Sequence, residues 1–181
     1  EELDLASNTI IILMGDNGYF LGERGYAGKW LPYEESLRVP LLIFDPKRRF
    51  SRPGDRPTQF VLNIDIAPTI LELAEVPAPS IVQGRSLIPL VDDSADGWRT
   101  EFFCEHLFDI PNIDIPKSEG VRTEQWKYIR YFEQNPIHEE LYNLEEDPHE
   151  SYNLIGVPEY SDRGAKMRLK CSNLTLKAGS S

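Results

Sequence analysis

The apolar residues of this chain follow two different rhythms. Thr9-Ile10-Ile11-Ile12-Leu13-Met14 and Val39-Pro40-Leu41-Leu42-Ile43-Phe44 are unbroken apolar runs, the pattern of strands buried on both faces. Pro40, close to the start of the second run, is tolerable at a strand entry. Ile66, Ile70, Leu71 and Leu73/Ala74 recur at helical spacing, which predicts a helix capped by Asn63 or Asp65, running to about Ala74 and facing the sheet. Pro68 falls in its first turn, where proline is accepted. Shorter helices are expected over 33–37 and 86–91, with a proline-rich basic loop over 45–58 and an acidic linker over 92–97.

From Trp98 onward the rhythm changes. Residues 102–106, 120–123, 126–132 and 140–144 read as short strands separated by turns, and the third alternates apolar with polar positions. No helix of crossover length lies between them, so they predict a small antiparallel sheet. A helix over 160–170 would pack on that sheet, followed by a frayed tail. The expected organisation is therefore an α/β part over 1–95, an α+β part with an antiparallel sheet over 96–170, and a flexible tail over 171–181.

Composition narrows the classes. Of 181 residues 40% are hydrophobic, with three Trp, eight Tyr and eight Phe, enough for a packed core. A formal net charge of −11 argues against a nucleic-acid partner, which needs a basic face. No apolar run reaches the length of a membrane span. Cys104 and Cys171 are the only cysteines, so a structural zinc site has no Cys/His cluster to build on, and their redox state stays open. No signal peptide is visible, and Glu1-Glu2-Leu3-Asp4-Leu5 reads as the last turn of a helix that begins earlier, the expectation for a piece of a longer protein.

Candidate chemistry concentrates after the first strand. Asp16-Asn17-Gly18 stands where a buried strand would end, the place where open α/β sheets hold ligands. Asp and Asn offer the hard oxygens that Ca²⁺ or Mg²⁺ prefers, and a positive φ at Gly18 would let them converge. All three residues also favour an ordinary turn. Lys29, thirteen residues after Asp16, could neutralise an oxyanion or could be a solvated loop lysine. Gly22, Gly25 and Gly28 do not form a phosphate-cradling loop, because Trp30 follows Lys29 where Ser or Thr would be needed. His106 ends an apolar strand and could contact a substrate or sit satisfied at a sheet edge. Glu34-Glu35 suit the first turn of a helix, and Trp126 suits a core. No GxSxG elbow is present.

Four blocks in order carry a resemblance. The stretch Gly15-Asp16-Asn17-Gly18 through Gly28-Lys29-Trp30, then Tyr33-Glu34-Glu35-Ser36, is similar to the C-terminal half of type I sulfatases, enzymes of the alkaline-phosphatase-like fold. Asn63-Ile64-Asp65-Ile66-Ala67-Pro68-Thr69 resembles the family's next helix. Gly120-Val121-Arg122-Thr123 with Trp126-Lys127-Tyr128-Ile129-Arg130, and Glu140-Leu141-Tyr142-Asn143-Leu144 with Asp147-Pro148-His149-Glu150, resemble its C-terminal subdomain. The Gly-Lys-Trp step and Glu105-His106 are most similar to members acting on mucin or on N-acetylglucosamine 6-sulfate.

The resemblance implies the C-terminal part of an alkaline-phosphatase-like sandwich plus a small antiparallel subdomain. It implies Asp16 and Asn17 as two ligands of a catalytic Ca²⁺ (or Mg²⁺), and Lys29 as the residue that binds sulfate and discharges the leaving oxygen. His106 and Arg122 would shape a sugar pocket, and Arg24 stands where many relatives carry His. The family's nucleophile is a formylglycine made in a C/S-x-P-S/A-x-R motif, which neither Cys104 nor Cys171 fits and which is expected upstream. The isolated chain is therefore expected to be inactive towards sulfate esters, with a sulfated carbohydrate as the intact enzyme's substrate and a periplasmic, secreted or lysosomal setting. No nucleic acid or membrane partner is expected, and self-association through an exposed sheet edge is. Two other readings remain: a non-catalytic carbohydrate-binding module, and a phosphatase or phosphodiesterase of the same superfold. Asn17 and the scarcity of His disfavour the last, which would favour zinc.

Overall fold

The computed structural model describes residues 5–47, 57–92, 94–109 and 115–178. Parts of three expectations lie outside the described residues: most of the basic loop after Asp45, Asp93 of the acidic linker, and the stretch 110–114 after His106. The helix turn expected at the start lies there too, apart from Leu5. The chain forms two compact units, one of Glu1–Asp16 with Pro40–Arg99, the other of Asn17–Val39 with Thr100–Ser181. The division is not the single cut expected near residue 95. The segment joining the two apolar runs belongs with the C-terminal sheet, although the runs themselves do not.

In the first unit, β1 (Ile11–Met14) pairs antiparallel with β4 (Leu41–Phe44), Ile11 opposite Phe44 and Leu13 opposite Leu42. These four side chains share one face and are 47–62% exposed, whereas the alternate positions are half-buried. This corrects the expectation of burial on both faces: among the described residues nothing covers that side. Helix α2 (Ile66–Leu73) follows a 3₁₀ turn over Asn63–Asp65. Asp65 is fully buried and does not cap α2 through its side chain. Its carboxylate accepts the Leu62 and Arg85 N–H groups, each at 2.8 Å, and both terminal nitrogens of Arg99. The helix buries Pro68 and Thr69 and leaves Ile70 half exposed, so the apolar stripe read from the sequence is not the buried one. Thr69 Oγ1 explains the difference, donating to the Asp65 carbonyl at 2.6 Å and accepting from Leu87 N–H at 2.9 Å ahead of α3 (Ile88–Val91).

The second unit is built on β5 (Glu101–His106), β6 (Ser118–Thr123), β7 (Trp126–Tyr131) and β8 (His138–Asn143), antiparallel throughout and in that spatial order. Strand alternation divides its side chains. One face packs Val121, Trp126, Tyr128 and Leu141 against Met167 and Cys171 of α4 (Ser161–Ala178). The other packs Ile129, Tyr131 and Tyr142 against Phe20 and Tyr33 of the segment 17–39, which contributes β2 (Phe20–Leu21), β3 (Ala27–Gly28) and α1 (Glu34–Leu37). Residues 171–178 continue α4 instead of fraying. The reason is local: Cys171 is wholly buried on the sheet and the Thr175 hydroxyl donates to Glu119 at 2.9 Å.

Candidate functional site

The second unit opens with Asn17, whose side chain is fixed on both sides. Its Nδ2 donates to the Gly18 carbonyl at 2.6 Å, and its Oδ1 accepts from Lys29 Nζ at 2.9 Å. Gly18 is required by close approach and not by a positive φ, which corrects the sequence expectation. A Cβ there would stand 2.0 Å from the Glu35 carbonyl oxygen, and the Gly18 N–H donates to the Ser36 carbonyl at 2.8 Å. Asp16 is an exposed residue just beyond β1 in the first unit, where the Gly15 N–H donates to the Pro40 carbonyl.

Trp30, next to Lys29, has φ 94°, a conformation that costs a bulky residue on the order of 1–3 kcal/mol. Neighbouring groups hold it there. The Lys29 ammonium lies 5.0 Å from the Trp30 ring centre, His106 at the end of β5 is 5.4 Å away, and Phe108 stacks nearly parallel at 6.0 Å. Burial holds His106 below the usual imidazole pKa, and its Nε2 is enclosed without a hydrogen-bond partner among the described residues.

A second cluster fastens this loop to the sheet. Lys127 is 1% exposed, with its Nζ 2.7 Å from both Glu34 Oε1 and Glu150 Oε1. Arg122, opposite Lys127 in the register, pairs with Glu34 at 3.2 Å and donates to the Glu124 carbonyl. Arg24 donates to the carbonyls of His149 and Glu150 and lies 4.2 Å over the Tyr33 ring. Burial alone would raise the Glu34 pKa, but Lys127 and Arg122 outweigh it and hold the carboxyl below its ordinary value. For Glu150 burial wins, and its pKa is raised despite Lys127. Tyr33 donates to Glu140 at 2.9 Å, and the phenols of Tyr33, Tyr131 and Tyr142 are pushed above their usual range by burial, then by the Glu140 charge.

Of the residues singled out in the sequence, the structure brings Asn17 and Lys29 together and links His106 to them through Trp30. Arg24 and Arg122 spend the contacts just described on the anchor that holds the loop. Sequence reasoning missed Phe108 and the Lys127–Glu34–Glu150 cluster. A signal for the cluster existed: Lys127 occupies an inward position of an alternating strand, and a buried ammonium needs counter-charges. Among the described residues no group of three or more His, Cys, Asp or Glu could hold a metal ion. Asn17 offers an oxygen of the kind Ca²⁺ takes, and an ion held there would need further oxygen donors beside it.

Residues 22–177 match the family described as N-sulphoglucosamine sulphohydrolase, C-terminal. The chain belongs to this family of sulfatase C-terminal regions. It is 35% identical to an N-acetylglucosamine-6-O-sulfatase of Bacteroides thetaiotaomicron, over 90% of this chain and 29% of the relative. It is 32% identical to a multifunctional alkaline phosphatase superfamily protein of Trinickia caryophylli, over 93% of this chain and 36% of the relative. A solved protein in complex with its substrate, D-glucosamine-2-N,6-O-disulfate, superposes with a TM-score of 0.86 and 31% identity, over 95% of this chain and 35% of that one. The chain thus spans about a third of the length of these relatives. The fold is the C-terminal α/β portion of the alkaline-phosphatase-like architecture, with its antiparallel subdomain.

Proposed function

We propose that this chain is the part of a sulfuric ester hydrolase that brings Lys29 to the sulfate group and the oxygens of Asp16 and Asn17 to a Ca²⁺ ion. The observation that carries the reading is the Lys29–Asn17 hydrogen bond, which holds a half-buried ammonium on a short, anchored loop. A fixed cation of this kind stabilises negative charge on sulfate oxygens without reorganising as the reaction proceeds. Ca²⁺ would add a second positive centre, and Mg²⁺ is the alternative hard cation. The substrate is proposed to be a sulfated glycan, with a glucosamine-type sugar sulfated at oxygen 6 as the closest chemistry, by analogy with the B. thetaiotaomicron relative. By the same analogy with its sulfatase relatives the setting is periplasmic, secreted or lysosomal; among the described residues no helix is long and apolar enough to cross a membrane.

The family's nucleophile motif is not matched at Cys104 or Cys171, so the chain is proposed to be inactive by itself. Incubating the purified chain with 4-nitrophenyl sulfate and Ca²⁺ or Mg²⁺ tests this, and measurable turnover would refute it. Titration with sodium sulfate, followed by NMR, tests Lys29: its side-chain resonances should shift first, and unmoved Lys29 signals would remove the assignment. A non-catalytic carbohydrate-binding role is the second reading, favoured by the exposed indole of Trp30 beside the Lys29 ammonium. The exposed face of Ile11, Leu13, Leu42 and Phe44 is proposed to drive self-association.

A further inference from the structure

Lys29 stands at the root of a hairpin that has little of its own to hold it. Strands β2 and β3 pair over two residues each, Phe20 opposite Gly28 and Leu21 opposite Ala27, and Lys29 follows β3 directly. An isolated two-stranded hairpin is marginal in water even when its strands are longer. Of residues 20–28 only Phe20 is buried, and Leu21 is 83% exposed. The Asn17–Lys29 hydrogen bond ties the root. At the tip the tie is Arg24. We propose that Arg24 is a positioning residue for Lys29: by pinning the hairpin tip to the turn at Glu150, it sets where the ammonium stands at the root. The inference rests on the reading of Lys29 as a sulfate ligand and adds which residue places it.

Three features assign this role. The first is the backbone. Arg24 has φ 55° between Gly22 at 124° and Gly25 at 75°, a left-handed conformation that disfavours a side chain unless its surroundings hold it. The second is what holds it. The guanidinium donates to the carbonyls of His149 and Glu150, lies 3.7 Å from the carboxylates of Glu35 and Glu150, and covers the Tyr33 ring. Its target is itself immobile. Glu150 also has a positive φ, 50°, and its N–H donates to the Asp147 carbonyl at 3.0 Å. The Asp147 carboxylate accepts the N–H groups of Ser151 and Tyr152 at 2.6 and 2.9 Å, and the Glu150 carboxylate accepts the Glu34 N–H at 2.8 Å. The third is that Arg24 does not face an anion itself. Its side chain is 17% exposed and turned onto these partners, so its effect on a bound sulfate runs through the hairpin.

The test follows Lys29 side-chain resonances of the intact 181-residue chain by NMR, first alone and then titrated with sodium sulfate. Arg24→Gly keeps the left-handed turn and removes the guanidinium. Its Lys29 resonances should move before any sulfate is added. Sulfate affinity should then fall about threefold to tenfold, because the anion must order a side chain that was fixed beforehand. Arg24→Lys, which keeps a cation near the same carbonyls, should recover part of both effects. Val121 and Leu141, on the α4 side of the sheet, should not move, which separates displacement of the hairpin from misfolding. An arginine that only adds stability would lower the unfolding midpoint and leave the Lys29 shifts and the sulfate affinity of the folded protein unchanged; that result overturns the proposal. Lys29→Ala should abolish sulfate binding. Sulfate binding that survives Lys29→Ala overturns the underlying reading, whereas unmoved Lys29 resonances in both Arg24 variants overturn the positioning role whatever the affinity.

Discussion

Lys29 Nζ sits 2.9 Å from Asn17 Oδ1, so the loop's amine is held by an amide oxygen and not by a carboxylate. Asn17→Asp should turn this contact into an ion pair and weaken sulfate binding by about tenfold, since a carboxylate there competes directly with the anion for the ammonium. Sulfate titrations of the two proteins at one ionic strength check this. Equal affinities would mean that the amine does not meet the anion.

The anchor makes a stability prediction. Lys127 is buried between Glu34 and Glu150, and Lys127→Met would leave those carboxylates facing each other with only Arg122 on Glu34 and Arg24 on Glu150 to offset them. Removing one partner of a buried ion pair costs about 3–5 kcal/mol. Urea unfolding of the second unit should show a loss of that order. The same variant should loosen the segment 17–39, visible as faster amide exchange at Ser36 and Leu37, whose N–H groups bond to the Tyr33 carbonyl.

Gly18→Ala should destabilise by about 1–3 kcal/mol, the usual cost of forcing extra volume into a filled space. The added methyl would meet the Glu35 carbonyl, a backbone group that cannot rotate aside. Loss of the Asn17–Lys29 contact should accompany the change, so chemical shifts of both side chains report it independently of the denaturation midpoint.

Both thiols set an alkaline limit. Burial, first among the causes, pushes Cys104 up to about 11 and Cys171 up to about 12, from an ordinary value of 9.0. Because the folded values exceed the unfolded one, the folded state keeps its protons longer than the unfolded chain. Stability is thus unaffected below pH 9 and declines as pH rises through the window up to about 11–12. Alkylation by iodoacetamide at pH 8 should be slow in the native protein and fast in denaturant. Rapid native labelling of Cys171, which is wholly buried, would contradict the packing of α4 on the sheet.

Leu13→Lys combined with Leu42→Lys should abolish concentration-dependent association in sedimentation velocity. The pair sits directly opposite in the β1–β4 register and removes the centre of the exposed apolar face. A wild-type chain that stays monomeric at high concentration and binds no ANS would remove the premise.

The second-half sheet was legible in the sequence because its short runs are bounded by turns and the third of them alternates, and alternation encodes which side chains share a face without reference to anything distant. The resemblance of the Asp16-Asn17-Gly18 to Lys29 stretch likewise marked a turn at a strand end, because turn residues and a strand end are local signals. The burial of the apolar runs was not legible. Composition shows that Ile11 and Leu13 are apolar, but whether another layer covers them depends on elements far away in the chain.

Sequence alone thus determined the elements, their period and the residue types of the candidate site. Tertiary structure alone decided that the loop 17–39 leaves its flanking strands to pack on the C-terminal sheet, and that Arg24, Arg122 and Lys127 hold that loop through Glu34, Glu35 and Glu150. The physical reason is that backbone preference acts over a few residues, whereas a buried charge chooses its partner by distance in space, here across 116 positions between Glu34 and Glu150.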